Sequence, residues 1–217
     1  MQLKISILVD NPNSWIVPTA QRLVSAIAER GHTAQLFHTQ EEIPAGDIAF
    51  VLGCEKILPV EVLRRNTHNI VVHPSALPQG RGFSPLTWQI LDGKNDIPVT
   101  LFEAAEKVDT GPIYLQGMIH FEGHELNPEL KAAQGDITIK LALQFLDEYP
   151  PKVSRLPEGE GSWYKRRSPG DSRLDPHKTL AEQFNLLRVA DNERYPAFFE
   201  LEGHQYVLRI TKTEPEK

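Results

Sequence analysis

Cysteine is nearly missing from this chain. Cys54 stands alone among 217 residues, which excludes an intrachain disulfide and suits a reducing, cytoplasmic setting. It sits in VLGCEK and reads as a small buried residue at a strand end rather than a reactive thiol. There is no run of about 18 apolar residues, so no membrane span is expected. The opening MQLKISILVD is too short in its apolar part for a signal peptide, and Asp10 interrupts it. A basic excess is also lacking. Lys and Arg number 23 against 29 Asp and Glu, a formal net charge of -6, which argues against nucleic acid as the main partner. No metal is expected either: His120 and His124 bracket a short loop, but no other Cys or His is close in sequence. Internal repeats and low-complexity segments are absent.

What is present is a sizeable apolar fraction, 40%, in an alternating pattern. LKISILV (3–9) is a β-branched run that predicts a buried strand. TAQRLVSAIAERG carries Leu23, Ile27 and Ala28 at helical spacing, with Gly31 as its stop. TAQLF (33–37), DIAFVLG (47–53) and NIVV (69–72) predict further strands, with PVEVLRRN a short helix between the last two. The alternation predicts an α/β fold: a mostly parallel, Rossmann-like sheet flanked by helices. Ligands of such sheets bind at the carboxyl ends of the strands. SPLTWQILDG predicts a helix capped by Ser84, with Pro85 first and Gly93 closing it. IPVTLFEAA and PIYLQGMIHF predict two strands around the loop EKVDTG. NPELKAAQGDITIKLALQFLDEY predicts a long helix capped by Asn127 and ended by Pro150 and Pro151. We place a domain boundary there: 1–150 as the catalytic unit and 151–217 as a small appendage. The appendage is expected to hold an Arg-rich loop, a helix from Asp175 to about Arg188, and a β-hairpin turning at Gly203-His204.

The stretch HNIVVHPSALPQGRG (68–82) places His73 at a strand end before a Pro- and Gly-rich loop. With the following FSPLTW, VTL, and VDTG (108–111), it resembles the folate-dependent formyltransferases, strongly over residues 48–121. The resemblance implies transfer of a formyl group from N10-formyltetrahydrofolate to an amine, without a metal. It implies that His73 and Asp109 are catalytic and that Leu77, Pro78, Arg81, Gly82, Val108 and Gly111 border the folate. The chemistry suits these residues. An amine attacks a formyl carbon, and the tetrahedral intermediate carries negative charge that needs a donor. A protonated His73 is such a donor, and a carboxylate beside it can hold its tautomer and relay protons. Gly111 lets backbone approach a ligand.

One position departs from the family pattern. The usual site reads Asn-x-His, with both side chains on one strand face, and here Val71 replaces the Asn. Losing one oxyanion donor costs about 10²–10³ in rate. Asn11 or Asn13 could substitute from the loop DNPNSW. Asn69 lies about 6.6 Å further back on the strand. The chain could also work by His73 alone, or bind without turnover.

The acceptor is read from the two loops that flank the motif. The resemblance of WYKRRSPGDSRLD to nucleotide-sugar N-formyltransferases points to an amine on a UDP- or dTDP-linked sugar in surface-glycan biosynthesis, and DNPNSW together with VVHPS in place of Asn-x-His most resembles the pseudaminic-acid branch, which implies a 4-amino-6-deoxy sugar. Arg166 and Arg167 suit a pyrophosphate, and Tyr164 or Trp163 a base. Asp10, Asn11, Asn13 and Trp15 are expected to meet the sugar, or else to form an Asx-turn network. Methionyl-tRNA is disfavoured, because that enzyme type carries a large basic second domain. A glycinamide ribonucleotide enzyme, a formyltetrahydrofolate hydrolase and a non-catalytic binder are the alternatives. The apolar hairpin suggests a homodimer.

Overall fold

The structure, a computed structural model, describes residues 2–213. Chain order is β1 (Lys4–Leu8), α1 (Val17–Glu29), β2 (Thr33–Phe37), β3 (Gly46–Val51), α2 (Val60–Leu63) and β4 (Asn66–His73). Next come β5 (Arg81–Gly82), α3 (Pro85–Leu91), β6 (Asp96–Glu103), β7 (Ile113–His120) and α4 (Asn127–Asp147). The carboxyl-terminal segment holds β8 (Trp163–Tyr164), α5 (Phe184–Val189), β9 (Ala197–Leu201) and β10 (His204–Leu208).

The central sheet has the order β2-β1-β3-β4-β6-β7. The first four strands are mutually parallel, and β6 runs against both β4 and β7. This is the expected mixed α/β class with a mostly parallel sheet. Side-chain alternation sorts the strands between two faces. Ile5 and Ile7 join the main core under α1 and α4, whereas Leu8 and Val51 join a smaller cluster under α2. Both faces are covered, so β1 and β3 are apolar on both sides, as buried parallel strands require. Helix α1 buries Ala20, Leu23 and Ile27, one stripe at helical spacing. It crosses α4 at Gly135, where an added Cβ would lie 2.5 Å from Thr19 Oγ1.

Strand β1 lies between β2 and β3, so the chain leaves it first to one side and then to the other. The carboxyl ends of β1 and β3 therefore frame a crevice at a topological switch point. The loops after β1, β3 and β4 meet there.

Several local expectations are corrected. Ser84 precedes α3 but in left-handed backbone, φ 50° and ψ 44°, and its hydroxyl caps nothing. Asn127 is already inside α4; the cap is Leu126, whose N–H donates to Glu129 Oε2 at 2.8 Å. Asn127 instead donates to the Val189 carbonyl at 3.0 Å. The helix expected from Asp175 begins only at Phe184. Side chains take the backbone partners a helix would need: Gln183 Oε1 accepts from Asp175 N at 2.6 Å, and Thr179 and Glu182 bond each other. The hairpin turns at Glu202-Gly203, with φ 50° and 77°, because a two-residue turn of this hand needs positive φ at both positions.

The segment beyond residue 150 lies against the preceding part. Arg155 bridges Ile113, and β8 pairs in parallel with β5. Arg188, 1% exposed, reaches Glu125 Oε2 at 3.0 Å and Asn95 Oδ1 at 2.9 Å. A buried guanidinium is tolerable only when its donors are met this fully.

Candidate active site

Strand β4 ends at His73, which is 7% exposed. Its Nε2–H donates to the Gly80 carbonyl at 2.8 Å. A carbonyl only accepts, so this contact places a proton on Nε2. Asp109 Oδ2 stands 3.8 Å from the same nitrogen and accepts from the Gly82 N–H at 2.8 Å. Asp109 has φ 54°, the left-handed region that Asp tolerates better than most residues. The backbone of the loop 74–84 thus fixes both members of the pair, the histidine through Gly80 and the carboxylate through Gly82.

The pair borders a cavity of about 540 Å³ at the switch point. One wall is apolar: Val51, Leu58, Leu63, Val71, Phe102 and Val108. The other comes from α4 and the carboxyl-terminal segment, with Asn127, Lys131, Gln134, Asp191, Arg194 and Tyr195. Although the chain is net acidic, the charged lining is Lys56, Lys131, Arg166, Arg167 and Arg194 against Glu55, Asp109 and Asp191. An anionic ligand is therefore favoured there over the protein surface at large. Cys54 also borders the cavity, but burial pushes its thiol up to about 12. It is not a thiolate at neutral pH and so not a nucleophile. Among the described residues no group of three or more His, Cys, Asp or Glu gathers as a metal site, and no helix is long and apolar enough to cross a membrane.

A family model described as formyl transferase matches residues 18–139. The chain belongs to the formyl transferase family. Solved structures share the fold at low identity. A methionyl-tRNA formyltransferase from Clostridium thermocellum has a TM-score of 0.81 at 21% identity, over 100% of this chain and 96% of that one. A sugar N-formyltransferase from Shewanella gives 0.71 at 17%, over 99% of each. HypX from Aquifex aeolicus in complex with tetrahydrofolic acid gives 0.78 at 20%, over 97% of this chain and 38% of that one. Charge still argues against a tRNA acceptor.

The formyl-transfer motif residues divide on this geometry. His73, Asp109, Gly82, Val108, Trp15, Arg166 and Arg167 line the cavity. Leu77 does not; it packs with Phe102 and Ile113, and its bond to Pro78 is cis. Arg81 does not line the cavity either, and its backbone N–H donates to the Ser162 carbonyl at 3.0 Å. Gly111 is required by packing, since a Cβ there would collide with the Glu103 carbonyl. Tyr164 is taken up by Trp88, at 6.4 Å between centroids and 15° between planes. Its neighbour Trp163 is the aromatic that reaches the cavity, 56% exposed.

The residues of the loop after β1 are corrected in the same way. Asp10 Oδ2 accepts from the N–H groups of Glu55 and Lys56, both at 2.8 Å, so it shapes the neighbouring loop. Asn11 Oδ1 accepts from Asn13 N at 3.0 Å, an Asx turn, and neither residue borders the cavity. Asn69 donates to the Leu63 carbonyl at 2.8 Å and is absent from the lining too. Hence none of the three asparagines considered as a substitute at Val71 reaches the site. Of the side-chain amides that line the cavity, Asn127 is engaged by Val189, and Gln134 makes no side-chain hydrogen bond among the described residues. Lys131, Gln134, Asp191 and Arg194 escaped the sequence reading. Asn127, Leu130, Lys131, Gln134 and Thr138 do fall at 3.6-residue spacing, a signal that could have flagged one face of α4.

Proposed function

We propose that this protein transfers the formyl group of N10-formyltetrahydrofolate to the amine of a nucleotide-linked amino sugar. The observation that carries this reading is the His73–Asp109 pair opening on a cavity with one apolar wall and one cationic wall. The apolar wall fits a flat pterin, and the cationic wall fits a diphosphate. The acceptor amine attacks the formyl carbon, and the oxygen gains negative charge as the carbon becomes tetrahedral. His73, when protonated, stabilises that charge through the ring nitrogen not held by Gly80. The bond to folate N10 then breaks. N10 takes up one proton as the new amide nitrogen gives one up, with His73 as the carrier and Asp109 as its counter-charge. No metal is required for these steps.

The finer assignment, a UDP- or dTDP-linked 4-amino-6-deoxy sugar of a pseudaminic-type pathway, rests on the resemblance of the DNPNSW and WYKRRSPGD stretches. A homodimer through the hairpin is supported by the exposure of Leu201, Tyr206 and Val207.

The test mixes purified protein, N10-formyltetrahydrofolate and a panel of UDP- and dTDP-linked amino sugars. Mass spectrometry is expected to show one sugar gaining a carbonyl, and none doing so with His73→Ala or Asp109→Ala. Formate released without any acceptor would instead indicate a hydrolase. Folate binding with no turnover on any amine would indicate a binder.

A further inference from the structure

The mouth of the cavity contains a carboxylate among guanidinium groups. Glu55 Oε2 accepts from Arg166 Nη1 at 2.8 Å, linking the loop after β3 to the carboxyl-terminal segment. The Arg166 guanidinium lies over the Phe83 ring, 4.4 Å from its centroid. Arg166 chiefly, then a hydrogen bond from the Asn11 side chain, with Arg194 from further off, hold the Glu55 carboxyl below the usual carboxylate range. Among the described residues, Arg167 and Arg194 have no carboxylate within 4 Å. Arg194 reaches no closer acid, and Arg167 bonds the Asp171 carbonyl and the Ser172 hydroxyl while its buried Nε has no partner.

The placement of Glu55 is built rather than incidental. Its N–H and that of Lys56 are both held by Asp10 Oδ2. Gly53, at φ 59°, turns the chain against Ile16 just before it. Arg166, Arg167 and Arg194 line the same cavity as Glu55, and only Arg166 is bonded to it; guanidinium forks match phosphate oxygens better than they match a single carboxylate. Glu55 and Arg166 are each about half exposed, so their pairing is weak and readily exchanged.

We propose that Glu55 is an internal stand-in for the phosphate of the acceptor: it holds Arg166 across the cavity mouth until a phosphate-bearing amine takes the guanidinium over. The inference rests on the proposed acceptor class and adds a discriminating element to it. An acceptor without phosphate has no group to take the guanidinium over, so it binds without Arg166, which stays with Glu55. A diphosphate displaces Glu55 and gains Arg166, Arg167 and Arg194 together. The carboxylate thus selects against acceptors that lack phosphate, by offering competition rather than contact.

The test titrates inorganic pyrophosphate into the full-length protein by calorimetry, without folate and without turnover. Glu55→Gln is expected to tighten pyrophosphate binding about tenfold, and Arg194→Ala to weaken it about tenfold. Glu200→Gln removes the same charge from the exposed Arg173 pair and is the control; it should change nothing. In turnover, Glu55→Gln is expected to lower KM for the sugar acceptor and leave KM for the folate unchanged. Unchanged or weaker pyrophosphate binding in Glu55→Gln overturns the proposal, as does an equal gain in Glu200→Gln. Absence of pyrophosphate binding in every variant overturns it too, as does formylation of an uncharged amine as efficient as that of the sugar nucleotide, a result that would leave the family chemistry standing.

Discussion

The two walls of the cavity were built in different ways. The wall carrying His73 and Asp109 comes from β3, β4 and β6 and the loops that follow them, from Val51 to Asp109. The wall carrying Lys131, Asp191, Arg194 and Arg166 is assembled from α4 and a segment that returns over the sheet. The first wall is fixed by backbone: Gly80 and Gly82 hold the histidine and the carboxylate. The second is fixed by side chains, with Arg188 on Glu125, Lys131 on Asp191 at 2.6 Å, and Asn127 on Val189. The chemistry we propose for His73 and Asp109 sits on the wall with the fewest degrees of freedom. The acceptor selection we propose sits on the wall whose side chains can change without disturbing the sheet.

Substitutions can break that contrast. His73→Ala is expected to lower kcat by about 10³-fold with little change in acceptor affinity, measured by steady-state turnover. Equal losses in kcat and in acceptor binding would erase the distinction between the walls. Arg188→Ala is expected to lower unfolding stability by about 3–5 kcal/mol in a urea titration, because it leaves Glu125 and Asn95 without their partner. Since Arg188 ties the second wall to the first, cavity binding of the acceptor should weaken before global unfolding.

Lys131→Ala is expected to raise KM for the sugar nucleotide about tenfold, with KM for folate unchanged. Val71→Asn is expected to raise kcat by up to about tenfold by returning a donor to the apolar wall. Gln134→Ala, combined with it, asks whether the second wall already supplies that donor.

The smallest effect concerns acid. The Lys165 ammonium first, and then the Ser168 N–H, hold Asp171 at about 2, below its ordinary 3.8. A depressed folded-state value means that the stabilisation is complete above pH 4 and is lost as pH falls from about 4 to 2. Asp171→Asn should remove that part of the acid transition, followed by circular dichroism.

Legibility in the sequence followed the same division. The strands 33–37 and 69–72 and the helix beginning near Thr19 were readable because apolar spacing reports burial directly. His73 and Asp109 were readable because a local motif carries both. Ser84 and Asn127 misled, since Ser and Asn signal caps only where the backbone around them is extended, and here it is not. Asp10 and Asn11 were credible sugar ligands by type, but Asp10 holds the N–H groups of Glu55 and Lys56 and Asn11 holds that of Asn13. Of the two aromatics offered for a base, only Trp163 borders the cavity, because adjacent residues on an extended segment face opposite ways and Tyr164 packs on Trp88.

By itself the sequence determined the order of strands and helices, the mostly parallel sheet that their alternation demands, and the motif that marks formyl transfer. Those follow from local periodicity and from residues a few positions apart. Only the tertiary structure decided which cations face the cavity, that Glu55 meets Arg166 across 111 positions, and that no nearby asparagine replaces the one missing at Val71. Such meetings depend on how the carboxyl-terminal segment docks, and docking is set by burial and ion pairing between distant residues, which leave no periodic trace in the chain.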